Sequence, residues 1–213
     1  MTARPPVPAA AWILALALLG AAGCAGPAAL PPEVVHLGLE YPSPGPAPGL
    51  AIPVVLGVRQ LAAVPPFDTD RLLFREQAFR LEAYFYHRWQ ADPGQLVTTA
   101  LVRELRGRQR LAGVVTEDSA VQPRLWLEGS VEEFVHWHGA DGWEAVVAVH
   151  LLLMDREAPA TQPPVLWRRG YQARRPCASP HPEDAAAAMS AALAELASRV
   201  AGDLEAQLAG ARP

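Results

Sequence analysis

Cys24 is the residue of this sequence whose surroundings most clearly indicate a chemical reaction. A basic start at Arg4 precedes an apolar stretch over residues 9–19, and small residues occupy positions 21–23 directly before the cysteine. This order of basic, apolar and small residues is typical of a secretory signal. Because the small residues end at a cysteine, the pattern predicts cleavage before Cys24 and acylation of its thiol, as in bacterial lipoproteins.

Two other interpretations of this segment remain open. The residue three positions before the cysteine is Ala21, where lipoprotein signals favour a larger aliphatic residue. One alternative is therefore an ordinary cleaved signal, with Cys24 at this position by chance. A membrane-spanning helix would need ~20 apolar residues, whereas this apolar run has about a dozen. The lipoprotein interpretation places the protein outside the cytoplasm, held at a membrane by its acyl chains.

Histidines supply a second candidate chemistry, which is metal binding. His136 and His138 are two positions apart on a predicted strand and therefore share a face, but a metal site needs a third ligand. We expect position 136 to pair with position 145 or 146 of the partner strand. At ~3.3 Å per residue, His150 is then more than ~10 Å from His136. We therefore predict no metal site and interpret His136 and His138 as exposed residues near a turn.

Carboxylates and nucleophile motifs give no support for catalysis. Glu132 and Glu133 are adjacent on a strand and point to opposite faces, while Glu117 and Asp118 lie at a strand end. The sequence contains no G-x-S-x-G turn, phosphate-binding loop, C-x-x-C or H-E-x-x-H motif. We predict a protein that is not an enzyme and has no cofactor.

The elements that position these residues come in the order strands, helix, strands, helix. Asp92 can cap the first helix and Gln95 completes a capping box. Apolar residues at three-to-four spacing predict the second helix over 183–208. This order predicts an α+β (mixed α/β) fold, a largely antiparallel sheet with two helices packed on one face. Strands are predicted at 34–39, 52–58, 71–75, 79–86, 113–116, 124–138, 144–154 and 164–173.

Composition divides the chain into a signal peptide (1–23), a lipidated and proline-rich spacer (24–51) and a folded domain (52–209). Proline fixes φ and lacks a donor, so we expect a semi-rigid spacer that holds the folded domain away from the bilayer. The net charge of −4 does not indicate a nucleic-acid partner. With Cys24 acylated, Cys177 has no partner for an internal disulfide and is a buried thiol, a free thiol or an intermolecular link.

Aromatic residues on the polar faces of two predicted strands indicate a candidate interface. Tyr84 and Tyr86 lie opposite the apolar side of their strand, and Trp126 and Phe134 do the same on theirs. A sheet with both helices on one side leaves its other face open, and large aromatic residues there can mark a binding surface. The alternative is that loops or the proline-rich segment cover them.

The order of several short segments resembles a known family. After the lipoprotein cysteine come Leu39-Glu40-Tyr41 and Ile52-Pro53-Val54, then residues 67–75, and then residues 83–89 running directly into the first helix. This pattern is similar to the ABC-type transport auxiliary lipoprotein family over most of residues 52–208. Members of that family resemble the lipoprotein encoded beside paraquat-inducible and other mammalian-cell-entry (MCE) domain transport systems.

The resemblance implies a periplasmic lipoprotein that serves an ABC transporter moving lipids or other hydrophobic compounds, while separate subunits hydrolyse ATP. The implied partners are an MCE-domain periplasmic subunit and an ABC permease complex, and a homo-oligomeric ring is one arrangement that this function allows. Ala25 follows Cys24 where enteric inner-membrane lipoproteins have aspartate, which favours the outer membrane. Two alternatives stay open, a lipid-binding carrier and a structural lipoprotein of outer-membrane assembly.

Overall fold

The computed structural model describes residues 33–210, and residues 1–32 and 211–213 lie outside this description. Nine strands and two α-helices form in the described range, as the predicted α+β class requires. The helices are α1 (Pro93–Gly107) and α2 (Pro182–Gly210). The strands are β1 (Val35–Leu37), β2 (Ile52–Val58), β3 (Ala62–Ala63), β4 (Arg71–Gln77), β5 (Arg80–Trp89), β6 (Leu111–Thr116), β7 (Leu125–Gly139), β8 (Gly142–Asp155) and β9 (Val165–Pro176).

All nine strands belong to one sheet, centred on the long hairpin β7–β8. The ladders β7–β8 and β8–β9 are antiparallel and are the longest in the sheet. The other edge of β7 is shared by β2, β3 and β4, which pair with it one after another and run parallel to it. Beyond β2 lies β6, and beyond β4 lie β5 and then β1. The prediction of a largely antiparallel sheet is therefore confirmed, with short parallel pairings on one side of the hairpin.

Both helices pack on the same face of the sheet, as predicted. The first helix begins at its predicted cap, where the Asp92 Oδ1 atom accepts a hydrogen bond of 3.1 Å from the Gln95 backbone N–H. The two helices are joined by an ion pair between the Arg108 guanidinium and the Glu205 carboxylate, with an N–O distance of 2.8 Å. The helix-covered core is aliphatic and includes Leu56, Leu101, Leu105, Leu127, Val147, Leu151, Met189, Leu196, Val200 and Leu204.

The proline-rich segment packs on the helices instead of forming a spacer. The Arg103 guanidinium of α1 donates a hydrogen bond of 3.0 Å to the Tyr41 carbonyl and lies 4.8 Å from the centroid of the Tyr41 ring. The Glu40 N–H donates a 3.0 Å hydrogen bond to the Ser190 hydroxyl of α2. The spacer prediction is therefore wrong for residues 38–51, because side chains from both helices bind the backbone groups that the prolines leave unpaired. We call residues 38–51 the strap.

The sheet face opposite the helices is only partly covered. At one end of it, Phe67, Leu73, Val135 and Val146 form a small buried cluster beneath the loop between β3 and β4. Away from that cluster the face carries mostly half-buried and exposed side chains, and Trp126 is a buried exception. We call the face opposite the helices the open face.

Candidate interaction surface

A β-bulge in β7 decides where one predicted interface residue lies. The ladder to β8 is interrupted between Val131 and Glu133, so Glu132 is an extra residue in β7. An extra residue exchanges the two faces of the strand that follows it. Phe134 therefore points towards the helices, contrary to the sequence prediction. It is 1 % exposed, and its ring lies 5.2 Å from that of Trp89.

Trp126 lies on the open face, as predicted, but other residues cover it. Its ring fills the space above Gly57, where an added Cβ atom would come within 2.5 Å of the indole. The guanidinium groups of Arg59 and Arg156 lie over the ring at 5.6 and 5.8 Å from its centroid. The indole N–H donates a 2.8 Å hydrogen bond to the Pro123 carbonyl. The alternative raised for these aromatic residues, that loops cover them, applies to Trp126, since Arg59, Pro123 and Arg156 all lie outside the strands.

Tyr84 and Tyr86 are separated by an irregularity in β5, where the ladder to β4 shifts register. Tyr84 is half-buried and packs against the helix-covered core, and its hydroxyl donates a 3.1 Å hydrogen bond to the Pro180 carbonyl. Tyr86 is 41 % exposed, and the neighbouring Phe85 is 78 % exposed. Of the four predicted interface residues, Tyr86 alone is exposed, and its role at an interface stays a prediction.

His136 is fully buried, which corrects the expectation of an exposed histidine pair. Its Nδ1 atom lies 3.1 Å from the Tyr84 hydroxyl, and its ring centroid lies 4.3 Å from that of Trp143. Because the tyrosine proton is used on Pro180, the histidine Nδ1–H donates to the tyrosine oxygen and Nε2 is left without a partner. Burial, with a smaller effect of His138, lowers the pKa of His136 to about 4, so the ring is neutral at pH 7.

Residues 33–210 contain neither an activated thiol nor a cluster of metal-binding side chains. Cys177 is a half-buried free thiol whose pKa is raised to about 11, mainly by burial and further by the carboxylates of Asp184 and Glu144. A thiol with a raised pKa is a poor nucleophile at neutral pH. Among residues 33–210, no three histidine, cysteine, aspartate or glutamate side chains lie close enough together to hold a metal ion.

The open face offers a broad accessible surface on β7, β8 and β9. Three residues stand in register across these strands, Glu128, Leu152 and Arg168. In the next row of the sheet His150 lies opposite Gly170, and the missing side chain leaves a shallow groove of about 500 Å³. All of these residues are half-buried or exposed. We call them the open sheet surface, which combines apolar, acidic and basic side chains.

The described residues also form a second groove, beside α1. A groove of about 680 Å³ lies between α1 and the ends of β2 and β6, and it is open to solvent. Its lining includes Gln95, Arg103, Arg106, Glu117 and Asp118. Val58 and Val102 also line the groove, so it combines apolar and charged side chains, and because it is open it does not enclose a ligand as a small-molecule site does.

Comparison with known proteins places this fold. Residues 38–201 match the family model described as the ABC-type transport auxiliary lipoprotein component. The chain belongs to this family. The match includes β2 to β9, α1 and most of α2, so it covers the sheet except for the edge strand β1. A comparison with curated proteins gives no match.

Solved structures share the fold at low sequence identity. XCC0632 from Xanthomonas campestris, assigned to family DUF330, has 18 % identity and a TM-score of 0.72, covering 82 % of this chain and 96 % of that chain. CT253 from Chlamydia trachomatis has 8 % identity and a TM-score of 0.55, covering 74 % and 99 %. At these identities the likeness establishes the architecture alone.

Family membership gives the coarse location of the protein. A lipoprotein component of an ABC-type transport system is a lipid-anchored protein of the cell envelope. In the described part of the chain, neither α1 nor α2 is both long enough and apolar enough to cross a membrane. Cys24, the predicted site of lipid attachment, lies outside the described residues.

Proposed function

We propose that this chain is a non-catalytic subunit of an ABC-type transport system for lipids or other hydrophobic compounds, and that it docks the periplasmic part of the system at the outer membrane. The observation that carries the proposal is the family match over residues 38–201. Its periplasmic partner is an MCE-domain subunit that bridges towards the ABC permease complex.

Cys24 supplies the membrane anchor in this proposal. Acylation of its sulfur, with fatty acids such as palmitate, attaches the chain to the bilayer, and Ala25 favours sorting to the outer membrane. Cys24 precedes Val34 by ten positions. Even a fully extended chain of this length spans only ~35 Å. Because the strap is packed on the helices, this short segment is the whole connection, and the folded domain stays close to the membrane.

The open sheet surface is the proposed docking site for the MCE-domain subunit. Both helices pack on the other face, so folding does not require the open face to be covered. Its mixture of apolar and charged side chains matches the composition of interfaces between proteins that also exist apart. Leu152 lies between Glu128 and Arg168 and is the apolar centre of this surface.

The alternative of a lipid-binding carrier is less well supported by the structure. A carrier would hold its ligand between the sheet and α2, where Val147, Leu151, Leu196 and Val200 are fully buried members of one hydrophobic core. The groove beside α1 combines apolar and charged side chains and is open to solvent, whereas a ligand site buries most of its ligand. Docking therefore accounts for the described domain better than ligand storage does.

The docking proposal is tested by affinity purification of the tagged full-length protein from membranes under gentle detergent. The wild-type chain should recover an MCE-domain subunit, and Leu152→Glu should reduce the recovery at least tenfold, since a charge at the centre of an interface costs more than ~1.4 kcal/mol. Ser198→Glu is the matched control, because Ser198 is exposed on α2. The mass of the purified complex also shows whether several copies form a ring.

Two results would contradict the docking proposal. One is failure of the wild-type chain to recover any MCE-domain or permease subunit. The other is an equal loss of recovery in Leu152→Glu and Ser198→Glu, which would place the contact elsewhere on the domain.

The anchoring proposal has its own test. Cells supplied with labelled palmitate should incorporate label into the wild-type chain and none into Cys24→Ala. The substituted protein should move from the membrane fraction to the soluble periplasmic fraction, because no acyl chain remains to hold it. Equal labelling of both proteins would place the lipid on another residue.

A further inference from the structure

Several large apolar side chains are exposed near one edge of the sheet. Phe79 is 106 % exposed at the turn between β4 and β5, and Phe85 and Tyr86 follow along β5 with their ring centroids 5.4 Å apart. Val34 and Val35, at the start of β1, are 40 % and 39 % exposed. We call these five residues the β5 edge.

The edge is accessible because β1 covers only its far end. The pairing of β1 with β5 extends from Val35–His87 to Leu37–Trp89. In the described part of the chain, no strand pairs with this side of β5 before His87. An unpaired strand edge with exposed aromatic residues is a surface that soluble proteins normally protect. An unprotected edge of this kind indicates that β5 contacts a binding partner or a surface other than water.

Phe79 shows most clearly that this edge does not contribute to the stability of the fold. It occupies the third position of the turn formed by residues 77–80, with φ of +68°. That position in a tight turn favours glycine or asparagine, and a bulky residue at positive φ is strained. The ring is also fully exposed, so the fold gains no packing in return for the strain. A strained residue that gains no packing within the fold is expected to contact another molecule or surface.

The position of β1 shows that the segment leading from Cys24 reaches the domain at this edge. β1 runs parallel to β5, so its first residues point towards the turn that carries Phe79. Val34 is therefore both part of the β5 edge and the point where the connection from Cys24 ends. Val34 is ten positions after Cys24, and even a fully extended chain of that length spans only ~35 Å. An anchor at Cys24 holds this edge, before any other part of the domain, close to the bilayer.

We propose that the β5 edge rests on the membrane surface, with Phe79, Phe85 and Tyr86 inserted at the interface between lipid headgroups and acyl chains. The inference rests on the proposed acylation of Cys24. Tyrosine concentrates at this depth because its ring is apolar at one end and polar at the other, and phenylalanine buries its ring at the boundary with the acyl chains. Side chains spread along an edge can all contact a flat membrane surface. A protein partner would be expected to bind a compact cluster instead.

The charges along the edge fit a membrane surface without a requirement for anionic lipid. The Arg80 guanidinium forms an ion pair of 2.9 Å with Glu82, so the two charges largely cancel. Attachment then depends on the acyl chains and the apolar edge together, which is the usual requirement for stable anchoring by more than one signal. The contact fixes the orientation of the domain and leaves the open sheet surface free for the transport partner.

The experiment uses the full-length acylated protein with Cys177→Ala and a single new cysteine, Phe85→Cys, labelled with the environment-sensitive dye NBD. The protein is reconstituted into vesicles of phosphatidylethanolamine and phosphatidylglycerol, with or without bromine on the acyl chains. Phe79→Cys provides a second position on the edge, and Ser198→Cys on the outer side of α2 is the control. Flotation of the vesicles first establishes that each protein is anchored.

We expect blue-shifted emission and several-fold stronger bromine quenching at positions 79 and 85 than at position 198. Equal, water-like emission at all three positions in proteins that float would overturn the membrane contact and leave the anchor intact. A shift at position 85 that arises only after addition of a solubilised membrane extract would also overturn it, because the edge would then bind a protein. Failure of the proteins to float would overturn both this inference and the anchoring proposal.

Discussion

Strand β8 presents two rows of side chains that lie in different surroundings. Val147, Val149, Leu151 and Leu153 point towards the helices and are at most 2 % exposed. The alternating residues from Ala148 to Met154 point to the open face and are only half-buried. Both rows are largely apolar, so composition does not separate them. Their difference lies in what covers them, since both helices pack on one side.

This contrast shows which parts of the molecule serve the fold and which are available for binding. The helix-covered row contributes buried apolar area, which is the main favourable term in folding. The open row contributes little to that term, yet it is kept accessible on the longest strands of the sheet. The predictions below test this division by changing one row at a time.

The largest expected effect comes from truncating neighbouring leucines that belong to the two rows. Leu151→Ala should lower the free energy of unfolding by about 3 kcal/mol, because it leaves a cavity in a closed core. Leu152→Ala should lower the free energy of unfolding by less than about 1 kcal/mol, because the Leu152 side chain is already partly in contact with water. Urea unfolding of chains that also carry Cys24→Ala measures both. Equal losses would mean that the open face is as important to the fold as the covered one.

A second effect concerns the buried histidine near the end of the covered face. His136 has a pKa of about 4 in the folded chain and an ordinary value of 6.5 when unfolded. Between these values the unfolded chain binds the proton and the folded chain does not, so acid favours unfolding. Stability should therefore fall by about 2 kcal/mol from pH 7 to pH 5 through this residue.

His136→Phe is the variant that isolates this titration. It keeps an aromatic ring beside Trp143, and the Tyr84 hydroxyl keeps its acceptor on Pro180. Unfolding in urea at pH 7, 6 and 5 should show a smaller pH dependence in the variant than in the parent chain. All other histidines are common to both chains, and the aspartates with lowered pKa values, such as Asp203, lose their stabilising charge only at pH values below 4. Identical slopes would contradict the burial of a neutral imidazole.

The smallest expected effect lies outside the covered core, at the turn between β4 and β5. Phe79→Gly should raise the free energy of unfolding by about 0.5–1 kcal/mol, because glycine adopts positive φ without strain, although it also increases the freedom of the unfolded chain. Thermal or urea unfolding measures the change. A clear loss of stability would show that the Phe79 ring supports the fold.

Much of this fold could be predicted from the sequence because its elements are strongly patterned. The cap at Asp92, the strand from Ile52 to Val58 and the pairing of His136 with Ala145 all follow local rules and are confirmed. The family match confirms the resemblance that was based on the order of these segments. Local pattern was sufficient wherever neighbouring residues alone determine the structure.

The errors come from features that depend on distant contacts. Strict alternation placed Phe134 on the open face, but the extra residue Glu132 reverses the faces, and nothing in the sequence marks it as a bulge. The strap was interpreted as a spacer because its prolines exclude regular structure. Its partners, Arg103 and Ser190, are 60 to 150 positions away. A single sequence does not contain a signal for such pairings.

The most direct test of the central claim is site-specific photocrosslinking in cells from the two sides of the domain. A photoreactive amino acid replaces Leu152 on the open sheet surface or Ser198 on the outer side of α2. The account predicts a crosslink to the MCE-domain periplasmic subunit from position 152 and none from position 198. A crosslink to that subunit from position 198 but not from position 152 would contradict the account.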